Sequence, residues 1–69
     1  MEFSSALKDA RTNAGFTQQT LAAAMEIPMR SIENWEAGVR TPPVYVQRLI
    51  LNELQRIIDS KSSKEQAEL

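Results

Sequence analysis

The sequence predicts an all-α domain, a compact bundle of four helices. Three observations lead there. Apolar residues recur at helical spacing in four successive stretches. The two glycines, Gly15 and Gly38, each stand just past such a stretch, while Pro28 and Pro43 stand where one begins. A chain of 69 residues has room for one domain around one small core.

The first helix is expected over Phe3 to Asn13. Phe3, Leu7, Ala10 and Ala14 fall at i, i+4, i+7 and i+11 and form one apolar stripe. Either Ser4 or Ser5 is its cap, and the sequence leaves both open. Gly15 is placed as the left-handed residue that ends the helix. Thr17 then caps a second helix, Gln18 to Met25, with Phe16 and Leu21 as a hydrophobic staple across its start. Leu21, Ala22 and Met25 share its inner face, and Ile27 fills the bend that follows. The third helix runs from about Pro28 to Ala37, with Ile32 and Trp35 inward and Met29, Arg30, Glu33 and Asn34 outward. Gly38 ends it, and Val39 to Pro43 is a loop because each residue before a proline avoids helical geometry.

From Val44 to about Ser60 the chain predicts one long helix, with Val46, Leu49, Ile50, Leu54 and Ile57 as the core stripe. A second line, Val44, Leu51 and Ile58, repeats every seven residues off that stripe. Residues 61–69 are polar, without an apolar stripe, and are expected to be a disordered tail to a domain over residues 1–60.

Composition narrows the function. With no cysteine and no histidine, disulfides, the usual zinc ligands and the commonest general base are all missing. No metal, cofactor or small-molecule substrate is expected, and no enzyme activity. No apolar run approaches a membrane span, and the start has neither a basic region nor an apolar run of the signal-peptide kind, so a cytoplasmic protein is expected. Eight Lys/Arg stand against nine Asp/Glu, a net charge of −1, which is unusual for a chain that binds phosphate backbones. From Thr17 to Thr41 only Arg30 and Arg40 oppose Glu26, Glu33 and Glu36.

A short helix with an apolar back and long polar side chains in front nevertheless suits a DNA major groove. Arg30 is the type of side chain that makes a paired contact to guanine, Asn34 to adenine, and Met29 packs on a thymine methyl. Glu33 either accepts from a cytosine amine or orients Arg30. The segment resembles the helix-turn-helix of the Cro and lambdoid-repressor family, the XRE-like proteins. The likeness rests on Thr17-Gln18, Leu21-Ala22, the Ile-x-x-Trp-Glu-x-Gly run from Ile32 to Gly38, and Arg40-Thr41-Pro42-Pro43, and it covers roughly residues 7–50. It implies that Gln18 holds a DNA phosphate and braces the recognition helix, with Thr17 and Gln19 beside it, and that Arg40 touches the DNA backbone. It also implies an ion pair between Arg11 and Glu36 that fixes the third helix on the first. Two positions depart from the pattern: Glu26 replaces the usual glycine of the bend, and Pro28 replaces a capping serine. The family commonly adds a fifth helix after a turn; no clear break for one occurs here, so four is the expected number and five the alternative.

The function this implies is sequence-specific binding of double-stranded DNA by a transcriptional regulator. One module reads one half-site, so a homodimer is expected, with Val44, Leu51 and Ile58 as its interface. The alternative is a protein–protein interaction module on the same scaffold, which the acid-leaning surface favours.

Overall fold

Helices α1 (Phe3–Asn13), α2 (Gln18–Met25), α3 (Met29–Ala37) and α4 (Val44–Ala67) follow one another in the order expected. The computed structural model describes residues 2–67, and side chains for residues 2–61. No strand occurs among the described residues, and the helices number four, not five. Helix α1 lies against α3 and α4, and α2 packs on α3.

Each helix contributes one side chain with no exposed surface: Leu7, Leu21, Ile32 and Leu54. Phe3, Ala14, Ala22 and Ile50 complete the buried cluster. Trp35 is half-buried against it, and its ring meets that of Phe3 edge-on at 6.3 Å between centroids. Trp35 therefore belongs to the core, not to a stacking surface.

The cap of α1 differs from the expectation. Glu2 is the N-cap, with no side-chain bond, and Ser4 and Ser5 lie inside the helix. The reason is Phe3: as a buried residue it must already point into the core, which pulls the helix start ahead of both serines. At α3, Pro28 is the cap residue and the helix begins at Met29. Pro43 likewise stands just ahead of α4, where its carbonyl accepts from the Gln47 N–H at 3.0 Å. Shifts of one residue at a helix start are within ordinary fraying.

Three helix ends share one device. The N–H of Phe16 donates to the Arg11 carbonyl and that of Gly15 to Thr12; Ile27 and Glu26 repeat this with Ala22 and Ala23, and Val39 and Gly38 with Asn34 and Trp35. In each case a left-handed residue is followed by an apolar one, the Schellman arrangement. Gly15 (φ 87°) and Gly38 (φ 77°) adopt that conformation freely, whereas Glu26 (φ 56°) does so with a Cβ. The bend thus keeps the geometry expected of a glycine there and carries the strain. We predict that Glu26→Gly raises the stability by about 0.5–1 kcal/mol, the left-handed penalty less the extra entropy of glycine in the unfolded chain. A thermal melt checks it, and a lower midpoint would mean that the glutamate side chain is itself stabilising.

Thr17 and Thr20 lock the start of α2 reciprocally: the Thr20 N–H donates to Thr17 Oγ1 at 3.0 Å and the Thr17 N–H to Thr20 Oγ1 at 2.8 Å. Phe16 packs against the core that holds Leu21, as a staple requires.

On α4 the expected stripes need correction. Ile50 and Leu54 point into the core, and Val46, Leu51, Ile57 and Ile58 flank them as half-buried contacts. Leu49 is 63% exposed and does not belong to the core stripe. Leu51 and Ile58 pack on the core, so they do not form a free line for a partner; only Val44 of that set is exposed. Helical geometry explains this. At 3.6 residues per turn Leu51 and Ile58 lie roughly 60–80° from the Ile50–Leu54 direction, whereas Leu49 lies roughly 120° away. The exposed apolar side chains of α4 are Val44, Tyr45 and Leu49. Beyond them Arg56 donates to Glu53 one turn back, and this hydrogen bond holds the Glu53 carboxyl below the usual range and the Arg56 guanidinium above its own. The contribution of so exposed a pair is small. Its sign is that of a lowered carboxylate: present at neutral pH and lost as the pH falls through the lowered value.

The helix runs on past Ser60 to Ala67. Glu68 and Leu69, the end of the stretch expected to be disordered, lie outside the described residues.

Candidate nucleic-acid interface

One carboxylate ties three helices together. Arg11 of α1 donates to Glu36 of α3 through Nε at 2.7 Å and Nη2 at 3.1 Å, a two-pronged pair. Its Nη1 donates to the Phe16 carbonyl at 2.9 Å, and Gln18 Nε2, at the start of α2, donates to Glu36 Oε1 at 3.1 Å. The Arg11 and Glu36 side chains are 13% and 6% exposed, so water screens this network little. No buried side-chain nitrogen or oxygen lacks a partner among the described residues. The network sets the angle of α3 against α2 and α1.

Gln18 is thus a brace first. One amide hydrogen goes to Glu36, and the backbone N–H groups of Gln18 and Gln19 remain the available anion-binding donors beside it. Thr17 is taken up by its capping bonds, and Gln19 is exposed.

On the solvent-facing part of α3, Arg30 and Glu33 are exposed, Met29 is 42% exposed and Asn34 is half-buried. Among the described residues none of these four side chains makes a hydrogen bond or ion pair, so Glu33 does not orient Arg30 here. Arg40 is exposed in the loop after α3, where its N–H helps close the helix end on the Asn34 carbonyl at 3.4 Å. With Glu36 paired to Arg11, the acids left between Thr17 and Thr41 are Glu26 and Glu33, against Arg30 and Arg40, so the charges of that stretch balance.

One cation escaped the sequence reading. Lys61 Nζ donates to the Ala14 carbonyl at 2.6 Å, at the junction of α1 and α2. The signal was present: Lys61 lies seven residues after Leu54 and four after Ile57, so it continues the buried stripe. Its long apolar stem suits such an edge position while the ammonium stays at the surface.

Two short helices joined by a left-handed bend, the second with an unpaired polar front on a braced back, define a helix-turn-helix DNA-binding domain. A family model described as helix-turn-helix matches residues 7–58. The chain belongs to that family, in its XRE-like, Cro and lambdoid-repressor form. No curated protein and no solved structure matched the chain. Among the described residues no helix is long and apolar enough to cross a membrane, and no cluster of metal-ligating side chains occurs.

Proposed function

We propose that this protein binds double-stranded DNA sequence-specifically, with α3 in the major groove, and acts as a transcriptional regulator. The observation that carries the reading is the front of α3: Met29, Arg30, Glu33 and Asn34 are unspent inside the molecule while the back is held by Glu36, Ile32 and Trp35. A rigid helix with uncommitted polar groups meets base edges without first breaking bonds of its own. Arg30 takes guanine, Asn34 adenine, Met29 a thymine methyl and Glu33 a cytosine amine. Gln18 and Gln19 at the start of α2, which Thr17 caps, together with Arg40, hold the backbone.

A single module supplies few contacts, and a near-neutral one gains little from phosphate attraction. A homodimer on two half-sites doubles both. Its interface is assigned to the exposed apolar side chains of α4, Val44, Tyr45 and Leu49, since Leu51 and Ile58 serve the core. The competing reading, a protein-binding module, draws on the net charge of −1.

Arg30→Ala tests the reading. It is expected to weaken specific binding by roughly 1–3 kcal/mol and to relax preference at one base pair, without moving the melting midpoint. Gln18→Ala and Arg40→Ala are expected to weaken all duplexes alike. Titrations of cognate and single-substituted duplexes separate these outcomes; an Arg30→Ala protein with unchanged affinity and base preference would place the recognition surface elsewhere.

A further inference from the structure

Lys61 is held in position from a great distance along the chain. Its ammonium donates to the carbonyl of Ala14, 47 residues earlier, which is the C-terminal cap of α1. It also lies against Gly15, where a Cβ would stand 3.0 Å from Nζ. Gly15 is three residues before Gln18, a reach of at most roughly 11 Å. The ammonium therefore sits beside the turn that feeds the N-terminus of α2, the expected backbone-contacting end.

Three further observations bear on what it does there. An ammonium carries three N–H donors, and one is spent on Ala14. Among the side chains of residues 2–61 its charge has no carboxylate partner; the ion pairs there are Arg11–Glu36 and Arg56–Glu53. Lastly, Lys61 lies past the residues that match the family model, 7–58, so the feature is additional to the shared domain.

We propose that Lys61 is a further DNA-backbone contact, taking a phosphate next to the one held at the start of α2 and extending the footprint along the strand. The inference rests on the DNA-binding reading above. A duplex strand carries a charge about every 3.4 Å of axis, so a strand seated at α2 presents neighbouring phosphates on the scale of the Gly15–Gln18 reach. Anchoring on Ala14 removes much of the side-chain entropy that a free lysine loses on binding. In a chain with only Arg30 and Arg40 as cations between Thr17 and Thr41, one more placed cation is a sizeable share of its phosphate contacts.

The test uses the full chain with three substitutions. Lys61→Met removes charge and donor, Lys61→Gln removes the charge but keeps a donor for Ala14, and Lys61→Arg keeps both. Dissociation constants for a random-sequence duplex are measured from about 50 to 200 mM salt. The expected result is a log–log salt slope shallower by about 0.9 in the Met and Gln variants and unchanged in Arg, so that wild type loses roughly threefold more affinity than either over that range. Wild type that binds no duplex overturns the DNA-binding reading and this contact with it. Wild type that binds, with the same slope in the Met and Gln variants, overturns the contact alone and leaves Lys61 as a cap on α1.

Discussion

Arg11→Met is expected to destabilise the fold by about 3–5 kcal/mol, because it strands the Glu36 carboxylate, 6% exposed, with only the Gln18 amide for company. A chain of this size gains little more than that in total from its one core, so the variant should be largely unfolded at physiological temperature. The double variant Arg11→Met, Glu36→Leu removes both charges and should recover much of the loss. Thermal melts of both singles and the double measure the coupling. Losses that simply add would mean that the two side chains do not depend on each other.

The second large effect distinguishes the two sides of α4. Leu54→Ala should cost about 2–5 kcal/mol, the transfer term plus the cavity left behind an entirely enclosed side chain. Leu49→Glu, five residues away at 63% exposure, should leave the melt within about 0.5 kcal/mol of wild type. On the proposed assembly it should also abolish dimers in sedimentation. A Leu49→Glu protein that sediments as a dimer would exclude this face as the interface, and one that loses its fold would reverse the orientation of the helix.

These two positions also show where the sequence was legible. The helix ends at Gly15, Thr17 and Gly38 were readable because each depends on one or two local residues, which do what their chemistry demands wherever the rest of the chain lies. The register of α4 was not, because apolar residues lie on most of its circumference, including Val44, Val46, Leu49, Ile50, Leu51, Leu54, Ile57 and Ile58. Periodicity alone offers two stripes in such a helix, and the position of α1 decides which is buried. The Ser4/Ser5 cap failed for a related reason: a polar cap signal was outweighed by the burial of Phe3.

The candidate site divides the same way. The outward set on α3 followed from helical spacing once Ile32 and Trp35 were taken as inward. The Arg11–Glu36 pair, 25 residues apart, came only through the family resemblance, since no local pattern links residues at that distance. That Gln18 joins the same carboxylate, and that Lys61 returns to α1, are facts of tertiary placement. Neither has a local sequence signature beyond the stripe position of Lys61.

The most direct test of the central claim is selection of bound sequences from a random duplex library with the wild-type protein, repeated with Arg30→Ala. The expected result is enrichment of a pseudo-palindrome whose half-sites lie about one helical turn apart, with preference lost at one base pair of each half-site in the variant. A library that shows no enrichment at any salt concentration, low salt included, would contradict it and leave the scaffold as a protein-binding module.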